Sequence, residues 1–268
     1  MPEHAASSAW PGELILVAVL LAVGGCYVAA VIRSRRRRPW PLARTACWLL
    51  GLGAVYAGLA GLVAGAGGSA FVAHMAGHLL VGMVAPLLLV LAAPVTLALR
   101  SLAVVPARRL SALLRSRPVR FVAHPVTATV LNVGGLWVLY TTDLFVRMHA
   151  NPFLAAAVTA HVLVAGYLFT ASMIGRDPAP HRPGPAFRTV VLLVAFAGHG
   201  VLAKWIAAHP PAGVSAAQAE LGAAVMYYGG DVVDVAILVI LLAGWYRAMA
   251  PGPRASAPSA GRWSPSAA

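Results

Sequence analysis

Seven apolar stretches, each long enough to cross a bilayer, leave this chain few folds to choose from. They fall near residues 13–32, 42–64, 71–98, 125–145, 152–174, 188–208 and 221–247. A bilayer's hydrocarbon core is about 30 Å thick and a helix rises about 1.5 Å per residue, so about 20 apolar residues make one span. Unclosed strands in lipid would leave backbone N–H and C=O groups without partners, so helices are expected throughout. The chain is 60% hydrophobic and only 10% charged, more apolar surface than a soluble fold could hide. The expected class is therefore all-α, a polytopic membrane helical bundle with about seven transmembrane helices. The third stretch holds Pro86 and Pro94 and is expected to kink, or to break into a span and a short interfacial helix.

Basic residues fix an expected orientation. Of the 20 Lys and Arg, all but Arg147 and Lys204 fall in alternate loops on one side, in blocks such as Arg35–Arg38 and Arg100–Arg120. That asymmetry places the N-terminus outside and the C-terminus in the cytoplasm, as an odd number of spans requires. Short arginine blocks between apolar stretches mark topology and not a nucleic-acid surface, so membrane lipid is an expected partner and nucleic acid is not. The first stretch is followed, not preceded, by its positive charges, so it reads as a retained helix and not as a signal peptide. Three segments follow: an extracytoplasmic segment 1–12, a transmembrane domain 13–248, and a disordered cytoplasmic tail 249–268 rich in Pro, Ser, Ala and Gly. Ala57, Gly61 and Gly65, spaced by four in the second stretch, suit close helix packing. Cys26 and Cys47 form no paired motif and are expected to be buried structural thiols.

Ionisable side chains inside a membrane cost about 2.5–3.5 kcal/mol each at its centre, so they are usually paired, face the bundle interior and mark function. His74 and His78 lie four apart on the third span, and both imidazoles project from one helical face, a spacing suited to a shared metal ion. The same spacing occurs in helices where histidine merely packs. His161, His199 and Asp231 lie at a similar depth on three further spans, towards the outer side. Asp234 and Tyr227 share a helical stripe with Asp231, and Met75, Met83 and Met226 are thioether candidates of the kind copper(I) accepts. Lys204 is a candidate to neutralise one aspartate. His149 and His209, at loop edges, read as solvated, and His124 before Pro125 reads as a helix cap.

Enzymatic signatures are absent. The histidine pair lacks the glutamate of His-Glu-x-x-His, and neither a phosphate-binding Gly-rich loop nor a serine nucleophile elbow occurs. No catalytic residue is therefore expected, and binding is the chemistry the residues support.

The segment Phe71–Arg100, FVAHMAGHLLVGMVAPLLLVLAAPVTLALR, resembles the signature of the CtaG family of membrane-bound cytochrome c oxidase assembly factors, with its HMxxH pair, AP stretch and LxLR ending. Further matches follow in order: His124-Pro125, the GRDP of Gly175–Pro178, His199-Gly200, and Gly229-Gly230-Asp231. The resemblance covers roughly residues 45–247. It implies a seven-span plasma-membrane protein of a bacterium that matures a haem-copper oxidase, binding or delivering copper at the outer side. Its partners would be an oxidase subunit and an extracytoplasmic copper donor. His74, His78, His161, His199 and Asp231 are then the expected copper ligands. The sequence departs from the family in two places. Leu136-Trp137 is followed by Val138, Leu139 and Tyr140 where members often carry another His, and MYYGGD replaces a Trp-Gly-Glu form. A second functional class is a transporter or channel that moves copper or protons along intramembrane His and Asp. It requires polar groups through the full thickness, and here they crowd the outer half.

Overall fold

The computed structural model describes residues 10–35, 39–60, 69–178 and 182–249, and among them there are helices and no strands. Six helices are individually long and apolar enough to span a membrane: α1 (Trp10–Arg35), α2 (Leu42–Leu59), α3 (Ala70–Leu91), α9 (Pro152–Ile174), α10 (Pro185–Ala208) and α11 (Ala216–Met249). The bent pair α7 (Pro125–Thr141) and α8 (Leu144–Ala150), whose axes turn by 80°, is apolar enough to make a seventh candidate span when taken as one broken helix. Between α3 and α7 lie three short helices, α4 (Pro94–Ser101), α5 (Val104–Leu114) and α6 (Arg117–Val122). The tail and the glycines at 61 and 65 lie outside the described residues. The close approach of α2 to α3 is made instead by Gly58 against Gly77.

Helix α3 is the centre of the bundle and packs against α2, α9 and α11. Its sequence carries a proline in mid-span, and proline both lacks an N–H and crowds the carbonyl four residues earlier. That residue is Gly82, inside a π turn over Leu80–Val84 that widens the helix just before Pro86. The carbonyl oxygen of Gly82 lies where any Cβ on Gly166 of α9 would collide with it, and the Pro86 ring sits 3.0 Å from that same Cβ position. Helices α3 and α9 thus meet backbone to backbone. A second π turn, Val130–Gly134, interrupts α7.

The expected break after the third span occurs at Ala92–Ala93, where Ala93 takes the left-handed conformation (φ 51°). A broken helix leaves carbonyls and amides that need partners inside the membrane. On one side the Tyr27 hydroxyl donates to the Ala92 carbonyl at 3.0 Å, and Trp40 Nε1 donates to the same hydroxyl at 3.1 Å. On the other side Asp177 accepts from the amides of Val95 (3.2 Å) and Thr96 (2.7 Å) and from the Thr96 hydroxyl (2.6 Å). The aspartate of the GRDP motif therefore supplies, from a distant loop, the capping acceptor that the N-cap residue Ala93 lacks. Tyr27 and Trp48 stack at 4.5 Å, and the guanidiniums of Arg44 and Arg100 lie 4.8 and 5.2 Å from the centre of the Trp40 ring.

Two expectations are corrected. Cys26 is exposed on the outer flank of α1, and Cys47 is half-buried; both are free thiols. Cys26 is exposed because α1 lies at the edge, chiefly against α2 and α4, whereas Cys47, on α2, packs against the cluster of Tyr27, Val31, Trp40, Ala92 and Leu97. His124 does precede α7, but its side chain makes no capping hydrogen bond and instead lies 5.9 Å from the Phe187 ring.

Removing the Asp177 carboxylate leaves the first amides of α4 without acceptors. Asp177→Ala is expected to lower stability by about 1–2 kcal/mol, read as a lower thermal midpoint in detergent, with Asp177→Asn retaining part of it. An unchanged midpoint in Asp177→Ala contradicts the cap.

Candidate functional site

The buried polar side chains at the α8 end of the bundle form a series that runs inward. His149, on α8, is exposed, and its Nδ1 bonds to the Phe145 carbonyl at 2.7 Å. Its ring lies 5.7 Å from that of His74. His74 is half-buried, with Nε2 in a 3.0 Å hydrogen bond with the Tyr140 hydroxyl and its ring edge-on to Phe145 at 5.1 Å. His74 and His78 line one cavity of about 130 Å³ between α2, α3, α7, α8 and α9. One turn deeper, His78 lies within electrostatic reach of His74 on one side and His199 on the other.

His78, His199 and Asp234 then line a second, very small cavity with Met83, Asn132 and Phe169. These three are buried, with exposures of 9%, 5% and 4%. The Nε2 atoms of His78 and His199 are both buried with no hydrogen-bond partner. A buried polar atom without a partner costs about 1–3 kcal/mol, so two of them beside one cavity need an explanation. Space for the His199 ring is made by Gly230, where a Cβ would clash with the imidazole.

The expected ligands divide accordingly. His78 and His199 come together, and His74 stands one cavity outward. His161 does not line either cavity. Its Nε2 donates at 3.0 Å to the Leu131 carbonyl, which also accepts from the Gly135 amide, and the ring fills the space over Gly135. Asp231 is exposed on the outer flank of α11, and Asp234, one turn on, is the buried carboxylate. Among the described residues no three His, Cys, Asp or Glu side chains form a ready-made metal-binding group. Lys204 forms no ion pair with either aspartate among the described residues; its ammonium lies 5.5 Å from the centre of the Tyr227 ring. Tyr140, Asn132 and His149 were not singled out as site residues. Asn132 alone had a sequence signal, as an amide inside an apolar span.

Two apolar clusters bracket the site. One packs around Met75, Tyr140, Phe145, Leu202 and Met226 at the His74 end. The other, around Val90, Phe169, Met173, Leu192, Val233 and Ile237, closes the bundle beyond Asp234.

Helices long and apolar enough to cross a membrane, with unpartnered imidazoles enclosed beside one cavity, define the class of a polytopic helical membrane protein. More particularly, the sequence matches the cytochrome c oxidase caa3 assembly factor family (Caa3_CtaG) over residues 25–248, and the chain belongs to that family. It is 31% identical over 270 residues to the uncharacterized protein ML1998 of Mycobacterium leprae, an alignment covering 89% of this chain and 40% of that protein. It is 39% identical over 176 residues to the uncharacterized proteins Mb0105 of Mycobacterium bovis and MT0111 of Mycobacterium tuberculosis, covering 61% of this chain and 26% of each. The chain thus spans less than half the length of these relatives. No solved structure matches it.

Gly230→Ala is expected to displace the His199 ring and destabilise the protein by about 1–3 kcal/mol. Gly244 on the same helix meets nothing within 4 Å of its would-be Cβ. Gly244→Ala should therefore be neutral, or stabilising by up to about 1 kcal/mol. Thermal midpoints of the two variants check this, and equal midpoints contradict it.

Proposed function

We propose that this protein is a non-enzymatic assembly factor that holds copper as cargo for a haem-copper oxidase subunit, with His78 and His199 as the principal ligands. The observation that carries this reading is the pair of buried, unpartnered Nε2 atoms beside one cavity. Neutral imidazole offers a lone pair to copper without needing a thiolate, and Asp234 and Met83 stand at the same cavity as charge and thioether donors. His149 and His74 mark the way in from the surface. The arginine-poor end that carries them faces outward by the positive-inside rule, where a copper donor would meet it, in a bacterial plasma membrane. His161 and Asp231 act here as support for α7 and as part of the outer flank of α11.

The apolar cluster beyond Asp234 speaks against a through-route, since a relay of ions or protons needs polar groups or water along its length. Holding and handing back on one side is the better-supported action.

Purified protein loaded with copper(I) and freed of excess metal is expected to retain about one copper per chain. The His78→Ala/His199→Ala variant should retain none and should fail to restore oxidase activity in cells lacking the native protein. His161→Asn, which keeps a donor for Leu131, should retain copper. Full retention in the double variant contradicts the assignment. Copper accumulation inside proteoliposomes would favour transport.

A further inference from the structure

The end of the bundle opposite the histidines carries a second cleft, of about 180 Å³, which the copper reading leaves without a role. Its walls come from Val90 of α3, Leu114 of α5, Val119 of α6 and Leu168 of α9, and are apolar. Its polar rim is formed by Arg120, His124, Asp177 and Arg182. The one carboxylate of that rim is committed, because both Asp177 oxygens accept from the start of α4.

Among the described residues, cationic groups outnumber anions at this rim: Arg120 and Arg182, with Arg188 nearby, stand against the one carboxylate of Asp177. Arg182 donates through Nη2 to the Asp177 backbone carbonyl at 3.2 Å, a neutral acceptor, and its Nε is buried without a partner. Arg188, within electrostatic reach of Arg182, donates through Nη1 to the Met173 carbonyl and likewise has a buried, unpartnered Nε. Burial lowers the pKa of Arg182 from the ordinary arginine value, the Asp177 charge opposing that shift. Arginine nevertheless stays protonated, so the charge persists and calls for an anion.

The setting specifies the kind of anion. Helices α5 and α6 pair exposed apolar side chains, Val104 (64%), Leu113 (57%) and, in α6, Phe121 (68%), with exposed Arg108, Arg109 and Arg117. Short helices with that division lie in the plane of the headgroups. A cleft between such helices and the bundle, cationic at the rim and apolar within, matches a phosphate joined to an acyl chain.

We propose that this cleft binds one molecule of an anionic phospholipid, its phosphate at Arg120 and Arg182 and an acyl chain along Val90, Leu114 and Leu168. The lipid would tie α5 and α6 to α9 and to α3, the helix that carries His78.

The test uses the full-length protein, delipidated in a neutral detergent and titrated with short-chain phosphatidylglycerol, phosphatidylcholine or glycerol 3-phosphate, with the thermal midpoint and native mass spectrometry as readouts. Phosphatidylglycerol is expected to bind at one per chain and raise the midpoint, and the other two probes are not. Arg120→Gln, on an exposed side chain that folding does not need, should weaken that binding about tenfold, the worth of one charge-assisted hydrogen bond. Arg182→Gln should do the same, while Arg108→Gln/Arg109→Gln, outside the cleft, should not. Equal binding of phosphatidylcholine, equal loss in the Arg108/Arg109 control, or an unaltered Arg120→Gln would overturn the proposal. A response to glycerol 3-phosphate matching that to phosphatidylglycerol would overturn the lipid in favour of a soluble phosphate.

Discussion

The backbone contact between α3 and α9 is the constraint on which the remaining geometry depends. Pro86 forbids a regular helix at mid-span, the π turn absorbs it, and the displaced Gly82 carbonyl lies against Gly166. Lipid provides no hydrophobic drive for helices to associate, so close fit must supply it, and only glycine permits this fit. The same turn of α3 carries His78 immediately before the π segment, so the position of the imidazole is set by the feature that makes the helix irregular.

The polar groups inside the bundle are sorted by what the backbone needs. Irregular turns release carbonyls and amides, and side chains have been drawn to them: Tyr27 to Ala92 and Asp177 to the start of α4, while His161 adds a second bond to the Leu131 carbonyl. These satisfy the requirement that nothing polar be left unpaired in a low-dielectric interior. Nε2 of His78 and of His199 meet no such need. Polar atoms that serve no part of the fold are the ones available to a ligand.

Much of this was legible in the sequence. The apolar stretches gave the spans to within a few residues, except that the third ends at Leu91, with α4 a separate helix, and the fourth turns sharply at Asp143. The histidines and the GRDP motif were visible, and so was the family. Facing was harder to read. Asp231 and Asp234 lie three apart on one stripe of the helix, only about 60° apart around it, and that step is enough to leave Asp231 exposed at the edge while Asp234 turns inward. His161 stands at the right depth, but its ring is exposed on the flank of α9 and bonded to the Leu131 carbonyl of α7, a facing that depth along the span does not announce. His149 reads as solvated at the edge of an outer loop and is exposed, but the 80° bend before α8 also brings its ring to 5.7 Å from that of His74, which the sequence does not announce.

The central claim, that His78 and His199 present their free nitrogens to one copper ion, is tested most directly by X-ray absorption at the copper edge of the loaded protein. The account predicts outer-shell scattering from about two imidazoles, lost together with the bound metal in either single alanine variant and unaffected in Asp231→Asn. A copper environment without imidazole scattering, or one unchanged when His199 is removed, would contradict it.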